Sequence, residues 1–287
     1  MNTIVSRNCK IYFRNKRGVL SSMVAALIVI ILYVFFLGDK MQQGFPDMPG
    51  LDYLINSWVM SGFIAVASMT TTLGVSSLMI RDRESGNMKD FLCSPLKPYQ
   101  LASGYILSVY AIGVIMTFFT LAISEAYIVF KGGSLLDIVS LSELIGVILL
   151  TVLASSAMIF FVVSLFSRSD TFHTAGSIIA PLSGFLTGIY IPIGSLPPFA
   201  QMVVKLFPIS HGTVLIRQIM MKHAMSKSFV STPANIVSEI KQELGVTFQY
   251  GNVSDSVQLH VFVLLGTAIV FYGLATLILV NKKNKFN

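Results

Sequence analysis

Charge is what this 287-residue chain has least of: 11% of its residues are Asp, Glu, Lys or Arg, while 54% are hydrophobic and the mean hydropathy is +0.76. A soluble domain carries roughly 25% charged residues because water must cover its surface. A water-soluble fold is therefore excluded, and most soluble enzymes with it. Cysteine is scarce as well. Cys9 and Cys93 both sit in basic stretches assigned below to the cytoplasm, where thiols stay reduced, so no disulfide is expected. There is no Gly-Lys pair and hence no GxxxxGK[ST] loop to wrap phosphates, and HExxH, CxxC and GxSxG are missing too. Catalysis, a metal site and a cofactor bound by this chain are not expected. No clear repeat relates the first apolar runs to the last, which argues against transporters built from internal repeats.

What is present is a series of long apolar runs. A helix rises about 1.5 Å per residue, so roughly 20 apolar residues cross a hydrocarbon core of about 30 Å. Six stretches meet this: about 19–37, 58–80, 101–130, 144–166, 172–191 and 257–280. Backbone groups in lipid must bond within their own segment, so each is read as a helix. The expected fold is an all-α membrane protein with one transmembrane domain over 19–287, and no soluble domain large enough to fold alone.

The basic residues set the topology. Arg7, Lys10, Arg14, Lys16 and Arg17 precede the first run, and Arg81, Arg83, Lys89 and Lys97 follow the second. Lys282, Lys283 and Lys285 follow the last, whereas the first and third connections hold only Lys40 and Lys131. By the positive-inside bias both termini are cytoplasmic. The excess of 20 basic over 13 acidic residues suits anionic lipid headgroups, and nucleic acid is not an expected partner. A cleavable signal peptide is the competing reading of the N-terminus. The apolar run is too long for one, and Phe36-Leu37-Gly38-Asp39 lacks a small-x-small cleavage site.

Within residues 1–18, Val5, Cys9, Tyr12 and Phe13 fall on one side of a helical wheel, with Arg7, Lys10, Arg14 and Arg17 on the other. That is the layout of a helix lying in the headgroup plane. The connection over 81–100 is short and carries both signs of charge, with Met88, Phe91, Leu92 and Leu96 at helical spacing and a stop at Ser94-Pro95. An apolar ridge with charged shoulders suits docking to another protein, and equally a loop dipping into headgroups.

The fifth run carries Gly176, Ala180, Gly184 and Gly188 four apart, a small-residue line that lets two helices approach, with a kink expected at Pro181. The second run is rich in hydroxyls, among them Ser61, Ser68, Thr70, Thr71, Thr72, Ser76 and Ser77. These either face a translocation path or bond back to their own helix. Glu125 is an acid inside an apolar run, where a charge at the bilayer centre costs on the order of 2.5–3.5 kcal/mol. It is a functional candidate, or an interfacial residue if the third span ends near Ser124. His173 and His260 read as polar caps near span ends. After Ile191, Pro192, Pro197, Pro198 and Pro208 break up apolar stretches such as 199–207, too short to span and too apolar for a free loop, so a re-entrant or surface-lying helix pair at the outer leaflet is expected within an extracellular segment 192–256.

The stretch Arg83-Glu84-Ser85-Gly86-Asn87-Met88-Lys89-Asp90-Phe91-Leu92-Cys93-Ser94-Pro95-Leu96 resembles the RExGTxexLxxSPl signature of ABC-2 type permeases, the membrane subunits of ABC exporters with the type V fold. The likeness extends to the six-run layout, the basic N-terminal helix, and the run Ser183-Gly184, Pro192, Leu196-Pro197, Pro208 and Arg217. Asn87 stands where Thr is usual, and Cys93 where an aliphatic or small residue is common. The resemblance implies a permease that pairs with a second permease subunit, identical or homologous, and is driven by two ABC ATP-binding subunits that carry ATP and Mg. It makes 81–100 the coupling loop, with Arg83 and Glu84 as polar anchors to the ATPase and Met88, Phe91 and Leu92 as its ridge. It places the second and fifth spans, with Thr71, Thr72 and the small-residue line, around the translocation path, and Pro192, Pro197 and Pro208 at an outer gate. The expected cargo is amphipathic or lipid-like, such as a drug, antibiotic, toxin or lipid precursor, exported across a bacterial plasma membrane. An oligosaccharide exporter shares that fold. A stand-alone membrane enzyme would need polar side chains clustered at one depth, and a proton-coupled secondary transporter acids or histidines deep in several spans.

Overall fold

The computed structural model describes residues 2–16, 19–20, 33, 44–45, 48–87, 98–230, 232–250 and 253–284. The expected first span, all but Val19, Leu20 and Tyr33, and residues 88–97 of the expected coupling loop lie outside the described residues. Within them the chain is helical apart from one short antiparallel ladder. In order come α1 (Asn2–Arg14), α2 (Leu51–Glu84), α3 (Pro98–Phe130), α4 (Ile138–Leu165) and α5 (Ser169–Leu186), then a 3-10 turn at Ile193–Ser195. After it follow α6 (Pro198–Leu206), α7 (Pro208–Met220), α8 (Lys222–Ser228), α9 (Ala234–Glu243), the ladder β1 (Gln249–Tyr250) with β2 (Val253–Ser254), and α10 (Val257–Asn284).

Helix α2 is the axis of the bundle, with α3, α4, α5 and α7 packed around it. Its most apolar window is 83% buried, whereas that of α10, at the rim against α4 and α7, is 22% buried. Around the first half of α2, Leu54, Trp58 and Phe63 pack with Leu144 and Ile148 of α4, Ile216 and Met220 of α7, and Leu244 after α9. Around the second half, Met69, Leu73 and Ile80 pack with Tyr105 of α3, Ile159 and Phe160 of α4, Phe172 of α5 and Leu264 of α10. Local chemistry sets the helix starts. The Asp137 carboxylate caps α4 by accepting the Ser140 N–H at 3.2 Å, and hydrogen bonds from the Ser140 side chain and then its backbone lower the carboxylate pKa. Pro198 and Pro208 occupy the first turns of α6 and α7, where a missing N–H costs nothing.

Four described helices are long and apolar enough to cross a membrane: α2, α3, α4 and α10. They match the second, third, fourth and sixth apolar runs but extend further, because α2 starts at Leu51 and carries its helix through the charged residues Arg81–Glu84. The fifth run behaves differently. Helix α5 stops at Leu186, five residues short of the expected boundary, and its 18 residues span roughly 27 Å. Beyond it, α6 and α7 meet at 89° across Phe207 and together count as one more candidate span if taken as broken.

Candidate functional site

Three consecutive side chains at the end of α2 tie it to four other helices. Asp82 is buried and accepts a fork from Arg7 of α1, Nη1 to Oδ2 and Nη2 to Oδ1, both at 2.7 Å. The Tyr105 hydroxyl of α3 donates to the same carboxylate at 2.6 Å and Asn87 at 3.2 Å. Two-pronged guanidinium–carboxylate contact fixes direction as well as distance, and the bond to Asp82 raises the pKa of Arg7. Next in sequence, Arg83 donates from Nη1 to the carbonyls of Phe166 (2.7 Å) and Val163 (3.4 Å) at the C-terminal end of α4. Glu84 then accepts from the Ser169 backbone N–H at 2.6 Å and from the Ser169 hydroxyl, placing a negative charge at the N-terminus of α5.

Arg83 and Glu84 are thus engaged within their own chain, holding both sides of the corner between α4 and α5. Met88, Phe91 and Leu92 lie outside the described residues. Arg7, which the helical wheel set on the polar face of α1, turns inward, and the buried face of α1 is Ile4, Asn8 and Tyr12. Asn8 donates to Ser108 of α3 at 3.0 Å, while Val5, Cys9 and Phe13 stay half-buried or exposed.

The small-residue line of α5 looks inward. Gly176 lies 3.5 Å from Leu73 of α2 as measured from a Cβ placed on it, and Gly184 sits against the Tyr190 ring. Ala180 packs on the same cluster. Gly188 leaves the line altogether, because α5 has ended: its φ of +66° makes it the left-handed residue after the helix, with Ile189 N–H bonding Gly184 O and Gly188 N–H bonding Phe185 O. The outward face of α5 instead carries Thr174, Ser177, Ile178, Pro181, Leu182 and Phe185. Thr71 and Thr72 are buried and bond back to Ala67 O and Met69 O of their own helix. The accessible strip of α2 is a different one, Thr70, Gly74, Ser77 and Arg81, spaced to share one helical face.

At the other end of α2 the surprise is Arg217, fully buried on α7. Its Nη2 donates to Gly188 O (2.8 Å) and Thr187 O (3.1 Å), and its Nη1 to Gly245 O (3.4 Å). The guanidinium lies 5.1 Å over the Trp58 ring, whose Nε1 donates to Leu244 O at 2.7 Å. Two helix C-termini, those of α5 and α9, therefore converge on one cation. Each ends in a left-handed glycine, Gly188 and Gly245, and the negative ends of both dipoles compensate the charge. The prolines mark element starts: Pro192 opens the 3-10 turn, Pro197 precedes α6 and Pro208 opens α7. Glu125 is half-buried and accepts the Leu136 N–H at 3.2 Å, which sets it beside the α3–α4 connection.

Sequence reasoning passed over Asp82, though a carboxylate between two arginines at the end of an apolar run is a legible signal. It also passed over His211, which pairs with His260, because the two stand 49 positions apart. Of the two histidines read as polar caps near span ends, His260 is buried and His173 is exposed. The family model described as ABC-2 family transporter protein matches residues 51–277, from the start of α2 into the last turns of α10. A comparison with curated proteins found no match.

Proposed function

The chain belongs to the ABC-2 transporter family, and on that premise we propose that it is the permease subunit of an ATP-driven exporter in a bacterial plasma membrane, with both termini cytoplasmic. Two ABC ATP-binding subunits supply the ATP and Mg. A second permease subunit, identical or homologous, completes the path. The observation that carries this reading is the trio Asp82-Arg83-Glu84, which fastens α2 to α1, α3, α4 and α5 just before residues 88–97. A push delivered to that segment reaches the whole bundle through those bonds, so the trio transmits force and the ridge of Met88, Phe91 and Leu92 receives it. Rigid lever action of this kind repacks interfaces in discrete steps.

The path runs along the strip Thr70, Gly74 and Ser77 of α2 and the outward face of α5, between the two permeases. Hydroxyls interleaved with Ile178, Leu182 and Phe185 suit an amphipathic or lipid-like cargo such as a drug, antibiotic, toxin or lipid precursor. The bent pair α6–α7 with Pro192, Pro197 and Pro208 forms the outer, re-entrant gate.

The test is purification of the tagged chain from gently extracted membranes, with mass spectrometry of what accompanies it. A Walker-motif ATPase is expected, held by the wild type and by Glu84→Ala but lost in Phe91→Ala/Leu92→Ala. The Glu84→Ala complex should hydrolyse ATP with little export. Recovery of the chain alone, under conditions that preserve other ABC complexes, would overturn the proposal.

A further inference from the structure

A buried chain of polar groups joins α7 to the start of α10, apart from the trio and from Arg217. The Nδ1 atoms of His211 and His260 face each other at 2.8 Å. His211 Nε2 lies 3.0 Å from the carbonyl of Lys205, and His260 Nε2 lies 2.8 Å from Asp255 Oδ2. The same Oδ2 accepts the Phe248 backbone N–H at 2.6 Å. The side chains of His260 and Asp255 are 0% and 2% exposed, and His211 is buried with them.

Counting protons along this chain gives a definite answer. A carbonyl only accepts, so His211 Nε2 carries a hydrogen. Two imidazole nitrogens at hydrogen-bond distance need one hydrogen between them: with none, two lone pairs face each other, and with two, the N–H groups collide. The last link also needs one, because His260 Nε2 must donate to the carboxylate oxygen that already accepts from Phe248. Three hydrogens on two imidazoles is one more than two neutral rings hold. The extra positive charge offsets Asp255, so the buried set is neutral, as a dry site demands.

We infer that Asp255, His260 and His211 form a proton-binding site whose bound proton clasps α7 to α10. His211 takes the neutral role with its proton on Nε2, His260 is doubly protonated, and Asp255 is its counter-ion and positioning residue. Among the described residues, the other charged or titratable groups beside it are Lys205 of α6, whose Nζ donates to Gln249 O, and Tyr250 of the ladder. Helices α2 and α4, which pack on α7, bring apolar and hydroxyl side chains, such as Thr151 against Gly212. A cleft of about 550 Å³, lined by Lys205, His211, Tyr250, Asp255 and Leu259, opens beside the site and admits solvent protons. Loss of the proton breaks one of the three links and leaves the buried carboxylate without its counter-charge.

The folded pair of rings holds one extra proton, whereas two unfolded histidines, each titrating at about 6.5, share about one at that pH and lose it above, so stability falls as pH rises above about 7. The test is the thermal midpoint of the purified full-length chain in detergent micelles, from about pH 7 to 9, above the ordinary histidine value. A falling midpoint is expected for the wild type and a flatter profile for His260→Gln and Asp255→Asn. Equal slopes in all three would overturn the site. A midpoint that zinc raises and a chelator lowers at fixed pH would overturn it too, by placing a metal between the two Nδ1 atoms. Should the variants fail to fold, ¹⁵N-histidine spectra of the wild type at neutral pH decide. One buried ring protonated on both nitrogens beside one protonated on Nε2 alone is expected, and two neutral rings would sink the inference.

Discussion

Arg7 and Arg217 sit at opposite ends of α2 and are neutralised by opposite means. Arg7, part-exposed, meets the carboxylate of Asp82 in a two-pronged ion pair. Arg217, fully buried, has backbone carbonyls and an aromatic face as its described partners. The difference follows from water. Where solvent reaches one partner, a charged pair forms at modest desolvation cost. In a dry interior a second charge would have to be stripped of water as well, at a cost of several kcal/mol per ion. Helix ends supply negative potential without a net charge to bury. The ion-paired end can exchange partners, while the carbonyl-held end fixes a geometry.

The largest way to break this contrast is Arg217→Gln. It leaves the carbonyls of Thr187, Gly188 and Gly245 without their donor at two helix ends, a loss of roughly 3–5 kcal/mol by analogy with breaking a buried charged contact. Folded yield should collapse in a size-exclusion assay of extracted membranes. Arg217→Lys should rescue little, since an ammonium cannot fork across carbonyls on two helices. Next comes Asp82→Asn, expected to cost about 2 kcal/mol after discounting for the solvent at Arg7 and to lower the midpoint without abolishing folding. Salt sharpens the comparison: raising ionic strength from about 0.1 to 1 M shortens the screening length from roughly 10 to 3 Å. That should shrink the Asp82→Asn difference and leave the Arg217→Gln difference unchanged.

The smallest effects come from the left-handed glycines. Gly188→Ala and Gly245→Ala should each cost more than the roughly 1 kcal/mol of the backbone conformation alone, because a Cβ would lie 2.6 and 2.5 Å from Ile193 atoms. Gly86→Ala, at φ +82° with nothing within 4 Å, measures the backbone cost by itself. Equal midpoints for the three would show that the hub tolerates displacement.

Much of the fold was legible as apolar runs, since residues that cannot leave lipid must form helices wherever they fall. The run ends were not. Leu51–Ser57 and Arg81–Glu84 are too polar to register as span, yet neighbours bury or bond them and the helix continues. The end of α5 was misjudged because Gly188, read as one more small residue for packing, is a helix terminator. The family signature was visible in the sequence, but not the partners of Arg83 and Glu84, which are a backbone carbonyl pair and the start of a helix 85 positions away from Glu84. Arg217 stood out in its motif, while the carbonyls that hold it have no sequence signature at all.

The hydroxyls of α2 bear on how the chain is made. Ser61, Ser68, Thr70, Thr71, Thr72, Ser76 and Ser77 each bond back to a carbonyl of their own helix. During synthesis α2 emerges before α3, α4, α5 and α7, the helices that will surround it, have been translated. A segment with these hydroxyls satisfied internally can leave the translocon and wait in lipid, with the Ser57 hydroxyl and the Trp58 N–H, whose acceptor Leu244 is translated later, as exceptions. The most buried of the described spanning helices is thereby equipped to wait for the helices that will cover it.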